Sequence, residues 1–228
     1  TAASRGIGAS CARVLHQRGY RLTIMSRTPA IRTLASELDA LAVVGSVSKV
    51  KDLERVVRLT MQHYGRIDAV VNNSGNPTGG EIVAIPDALW QDVFEMYFLS
   101  VVRMTRLVAP LMVQQGGGAI VNISGSGALE PDRRFPVADT IRASMAAYTK
   151  LFAQTYAEKN VRMNGVAPSV VFDHDPRKVR KDLKRELPMR RPAQYREVAD
   201  VVAFLLSAEA SYITGETVKV DGGLSRGL

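Results

Sequence analysis

The chain is poor in the residues that build extracellular scaffolds and metal centres. It holds a single cysteine, Cys11, so no disulfide can form within it, and a reducing compartment suits it. Three scattered histidines, His16, His63 and His174, and that one thiol lack metal-ligand spacing, so no metal site is expected. No uninterrupted apolar run approaches the roughly 18 residues of a membrane span. No secretory leader is visible either, so a cytoplasmic location without a membrane partner is expected. Internal repeats, low-complexity tracts and dividing linkers are also missing. The 228 residues, 46% hydrophobic and 23% charged, read as one domain over 1–228.

Positive charge, by contrast, is plentiful. The formal net charge is +8, which favours acidic partners such as phosphates and anionic substrates. No basic–aromatic motif stands behind it, so nucleic acid is not expected as a partner. Half of the surplus lies between Asp173 and Glu197, where nine Lys/Arg face five acids. A solvated helix face is the plain reading of such a run.

Short apolar runs rich in β-branched residues alternate with longer helical patterns. The runs are 21–26, 41–46, 67–73, 119–124, 161–167 and 216–221; the helical patterns are 8–18, 30–38, 50–63, 87–115, 137–159 and 195–208. Short, nearly continuous apolar strands between helices predict an α/β fold: a doubly wound, Rossmann-like parallel sheet in a single domain. The chain opens on turn-and-helix chemistry with no strand before it. A first, central strand is therefore expected to lie upstream of Thr1, and without it two neighbours are left unpaired.

Thr1–Gly8 reads TAASRGIG. Glycines opening a helix let the backbone approach a diphosphate at the helix N-terminus. Further along stand Asn72-Asn73-Ser74-Gly75, the strand IVNIS ending at Ser124, NGVAP ending at Pro168, and YITGETVKVDGG ending at Gly223. Together, and in this order, they resemble the short-chain dehydrogenase/reductase family over essentially the whole chain. Ala2 stands where the family's first glycine sits, and its Cβ weakens cofactor binding if that position needs an unusual φ.

The resemblance implies a dinucleotide held by Ser4, Arg5, Gly6, Ile7, Gly8, Ser26, Arg27, Asn73, Ser74, Gly75, Arg142 and Pro168. At the end of the second strand Ser26-Arg27 replaces the carboxylate that commonly receives the ribose of NAD. With Arg5 nearby, two guanidiniums suit a 2′-phosphate, so NADP(H) is favoured over NAD(H). The acid that contacts adenine is also absent, with Ser46 in its place.

The family's chemistry rests on an Asn, a Ser and a Tyr-x-x-x-Lys pair, yet none of the seven tyrosines has a lysine four residues later. The register places Tyr97 at the asparagine, Gly125 at the serine, Ala138 at the tyrosine and Arg142 at the lysine. Tyr97, Ser126 and Arg142 are the candidate catalytic residues. Ser124 and Asp139 also adjoin vacated positions, and a nearby guanidinium is expected to lower the Tyr97 pKa. The segment 169–195 is expected to be a substrate lid; its basic residues suggest an anionic small-molecule substrate. The implied function is an NADP(H)-dependent oxidoreductase acting on a carbonyl or alcohol with a non-standard catalytic set. The alternative is an inactive NADP(H)-binding sensor or partner subunit. The helices 87–115 and 137–159 resemble those that pack into a four-helix interface in the family's tetramers, with Ala143, Ala146, Ala147 and Ala153 suited to close approach, so the resemblance implies a homodimer or homotetramer.

Overall fold

The computed structural model describes residues 1–75, 79–172 and 179–227. Six strands alternate with helices: α1 (Gly6–Gln17), β1 (Thr23–Ser26), α2 (Ile31–Glu37), β2 (Leu41–Val44), α3 (Val50–Tyr64) and β3 (Ala69–Asn72). There follow α4 (Asp87–Phe94), α5 (Ser100–Gln114), β4 (Gly118–Ile123), α6 (Pro136–Tyr156), β5 (Val161–Pro168), α7 (Lys181–Glu186), α8 (Tyr195–Leu206) and β6 (Thr217–Val220). All strand pairs are parallel, in the orders β1-β2 and β3-β4-β5-β6.

Side-chain alternation along the strands divides the core between the two faces. Ile120 and Met163 pack with Leu53, Met104, Val108 and Phe152 from α3, α5 and α6. Ala119, Val121 and Val166 instead pack with Val14, Leu15, Val198 and Val202 from α1 and α8. Pro136 opens α6, where its fixed φ suits the first helical position. A capping box between Gln194 and Glu197 opens α8.

The expectation of two unpaired neighbours is met in the geometry. β1 and β3 face one another across a slot of about 440 Å³, lined by α1 residues such as Cys11 and Ala12 on one side and by Val56 and Met104 on the other. The opening residues bridge it: Thr1 N donates to Val71 O (2.8 Å) and Ala3 N to Met25 O (2.9 Å).

The 87–115 pattern is not one regular helix. A π-helical turn, Glu95–Leu99, joins α4 to α5. The stretch Asp87–Gln114 is long and apolar enough to cross a membrane by length and composition, but Met104, Val108 and Met112 on it belong to the protein core.

Candidate active site

The opening turn is stapled to the end of β3. Thr1 Oγ1 donates to Asn73 O (2.6 Å) and accepts from Asn73 N (2.9 Å), while the Asn73 amide donates to Ala2 O (3.3 Å). A Cβ on Gly8 would stand 2.5 Å from Ala2 O, so glycine is what lets α1 begin this close to the turn. Gly6 has φ +59°. Ala2 has φ +46° without glycine's freedom, a conformation that costs an L-residue about 1–2 kcal/mol. The first turn of α1 carries no acid and no side-chain cap, so its N–H groups are left to an anion.

Ser4 and Arg5 lie within this turn, and Arg5 is exposed. Ser26 is buried, and its hydroxyl accepts Thr28 N–H (3.2 Å), ordering the bend that presents the exposed Arg27. Arg27 Nη2 lies 4.0 Å from where a Cβ on Gly75 would stand. The guanidinium thus reaches from the end of β1 towards the end of β3. At Ser46, the backbone N–H donates to Asp52 Oδ2 (2.9 Å), an acid the sequence reading passed over.

A cavity of about 460 Å³ opens between these strand ends, bordered by Ile7, Asn73–Gly75, Ser124–Gly127 and Pro168–Phe172. Against it lies a connected polar group. Arg142 Nη2 donates to the Tyr97 hydroxyl (3.0 Å), and Nη1 donates to Asp139 Oδ1 (3.3 Å). The guanidinium carbon is 5.0 Å from the Tyr97 ring centroid, within cation–π range. Asp139, only 2% exposed, also accepts the Asp132 N–H (2.9 Å).

The vacated positions explain how this group fits. A Cβ on Gly125 would come within 3.0 Å of the Arg142 guanidinium carbon, and one on Gly127 would overlap the Asp139 carboxylate. The space beside Gly125 is therefore taken by Arg142. Ala138 is buried with Val93, Val137 and Ile141 around the Tyr97 ring. The π turn carries Tyr97 itself and is braced by an Arg103–Glu95 ion pair and by Ser100 Oγ donating to Met96 O (2.6 Å).

Two expectations are corrected. Arg142 does lower the Tyr97 pKa, but burial outweighs it and the phenol is pushed up, with Asp139 adding to the rise. Nor do the described basic residues of the 169–195 segment face the cavity. Arg180 pairs with Asp182 and Arg191 with Glu197, and from this segment only Ser169–Phe172 line the cavity. His174, Arg177 and Lys178 lie outside the described residues. Ser126 opens a short 3₁₀ turn, Ser126–Ala128, and borders the cavity. Ser124 Oγ is buried without a partner among the described residues. The polar residue the sequence left least defined is Asp139: its place in a largely buried ion pair depends on Gly127, which no sequence spacing reveals.

Comparisons with known proteins bear on the family and the fold. Residues 1–225 match a family model described as Enoyl-(Acyl carrier protein) reductase. Dehydrogenase/reductase SDR family member 4 of Homo sapiens is 34% identical over 98% of this chain and 85% of its own length. The 3-oxoacyl-acyl-carrier-protein reductase FabG of Staphylococcus epidermidis is 29% identical over 98% of this chain and 96% of its own. The crystal structure of acetoin dehydrogenase from Enterobacter cloacae superimposes with a TM-score of 0.90 at 26% identity, covering 98% of this chain and 92% of that one.

Proposed function

The chain belongs to the short-chain dehydrogenase/reductase family, and from that premise we propose that it is an NADP(H)-dependent oxidoreductase whose proton-handling group is Tyr97. The observation that carries this reading is the hydrogen-bonded series Asp139–Arg142–Tyr97 beside the same cavity that the glycine turn borders. The residues fit a dinucleotide: Gly8 permits the close turn, and the uncapped start of α1 faces a diphosphate. Arg27 and Arg5 suit a 2′-phosphate, and no acid ends β1. When bound, the cofactor supplies the hydride donor or acceptor.

Arg142 remains charged and cannot serve as a base. Its contribution is to fix the Tyr97 hydroxyl. That oxygen accepts from Nη2, so its own proton is turned away from the guanidinium. The raised pKa keeps the phenol protonated throughout the neutral range, which favours the direction that protonates a carbonyl. Two or four copies and a cytoplasmic setting belong to the same reading, supported by exposed Phe94 and Leu151 on α4 and α6 and by a free, buried Cys11.

Calorimetric titration with NADPH and NADH tests the cofactor. Arg27→Glu is expected to weaken NADPH at least about tenfold while leaving NADH within a few-fold. In a carbonyl panel Tyr97→Phe is expected to lower kcat about 10²-fold with little change in KM. Tight NADPH binding with no turnover by the unaltered protein would instead favour the non-catalytic nucleotide-binding subunit.

A further inference from the structure

We infer that Asp139 makes this an active site for uncharged substrates: carbonyl or alcohol compounds with an apolar body, not carboxylates or phosphates. The inference rests on reading the cavity as the substrate site of the proposed oxidoreductase, and it reverses the sequence expectation of an anionic substrate.

The argument is one of charge balance. Among the described residues two cations line the cavity, Arg134 and Arg142, and each has its own acid on the same wall. Arg134 forms a two-pronged pair with Asp132, and Arg142 Nη1 donates to Asp139. The lining therefore carries two positive and two negative side chains. The Arg142–Asp139 pair is the decisive one, with side chains only 16% and 3% exposed. In such a site a charge acts at low effective dielectric, so an unpaired Arg142 would draw a carboxylate strongly. Asp139 cancels that attraction, and an entering carboxylate would shed its water and meet a carboxylate already in place.

Among the described residues the surplus positive charge does not alter this balance. Among the described residues of the basic segment, Arg180 and Arg191 are paired with Asp182 and Glu197, and neither lines the cavity. The remaining walls carry Asn73, Ser74, Ser124, Ser126 and Ser169, which are polar but uncharged, and an apolar share. Ile7, Ile123, Phe135, Val171, Phe172 and Leu224 surround the polar group. Such a cavity suits a ligand with one polar head, placed at Tyr97, and an aryl or alkyl body.

A matched pair of probes reads the balance directly: methyl 4-acetylbenzoate and 4-acetylbenzoate, alike in shape but differing by one charge. Dissociation constants for each are measured on the NADPH-loaded protein by saturation-transfer NMR, independently of turnover. The ester is expected to bind about tenfold tighter than the acid or better. Asp139→Asn, which keeps the size and one acceptor oxygen, is expected to raise the affinity of the acid about tenfold and leave the ester within a few-fold. Asp132→Asn, at a more exposed position, shifts the acid the same way by less and remains informative if Asp139→Asn does not fold. Acid and ester binding equally to the unaltered protein, no saturable binding of the ester, or an unmoved acid affinity in the folded variants would overturn the inference. NADPH titration in the same samples separates this outcome from failure of the oxidoreductase reading, which would appear as no NADPH binding at all.

Discussion

At Ala2 a methyl group sits on backbone with φ +46°, and at Gly127 the absence of one leaves room for a carboxylate. The two positions respond in opposite directions to the smallest possible change. Ala2→Gly removes the left-handed penalty but gains chain entropy in the unfolded state. A net stabilisation of about 0.5–1 kcal/mol is expected, raising Tm by about 2 °C and tightening NADPH. Gly127→Ala drives a Cβ into the Asp139 carboxylate, which can yield only by leaving Arg142 and the Asp132 N–H. It is expected to destabilise by about 2–3 kcal/mol, seen as a lower urea midpoint at unchanged slope. Gly125→Ser, which returns the family's serine, does not restore the family's site. Its Cβ meets Arg142 at 3.0 Å, so the guanidinium is pushed from Tyr97 and turnover is expected to fall further.

At the scale of elements, the start of α8 is tied to the end of the 169–195 segment. Glu197 closes the capping box, accepting Gln194 N–H (2.8 Å), and also holds Arg191 through both carboxylate oxygens (2.6 and 2.7 Å). Glu197→Ala removes both functions and is expected to cost about 1–2 kcal/mol, whereas Glu197→Gln keeps the cap and loses only the partly exposed ion pair, with a smaller fall in Tm. This is also the scale at which the sequence was most legible. The six strands and the longer helices fall where apolar runs and helical periodicity put them, because those patterns are set by burial on one face or two. Ile7 of the glycine turn and the strand-end residues Asn73–Gly75 come to one cavity border for the same reason: a parallel sheet gathers its strand ends. What the sequence hid is tertiary. The π turn that carries Tyr97 has no periodic signature, since it adds one residue to a pattern that otherwise continues. The Asp139–Arg142 pair lies three residues apart on α6, yet its enclosure is provided by a 3₁₀ turn that follows a different strand. The cations of the Asp173–Glu197 run were read together, although among the described residues Arg180 and Arg196 are paired with acids close in sequence.

For the whole molecule, the buried acidic groups of high pKa decide how stability responds to pH. Burial pushes the Cys11 thiol up to about 12 and raises the phenols of Tyr20, Tyr64, Tyr97 and Tyr148. In each case the folded protein holds its proton to a higher pH than the unfolded chain does. The associated stability is complete below the unfolded pKa and is lost as pH rises towards the folded value. For the thiol that window opens at about pH 8.5, and for the phenols at about pH 10. On the acid side Asp132 is held low by Arg134 and Asp182, down at about 2, by Arg180, but these are surface pairs. Their contribution, lost as pH falls below about 4, is weakened by solvent screening. Urea unfolding across the pH range is therefore expected to be asymmetric, shallow on the acid side and steep on the alkaline side from about pH 9. Cys11→Ala separates the contributors: with the thiol gone, the alkaline decline is expected to begin about one pH unit higher, where the unfolded tyrosines start to ionise. An unmoved onset would mean that the interior around Cys11 admits water, and that the slot between β1 and β3 it lines is wet rather than apolar.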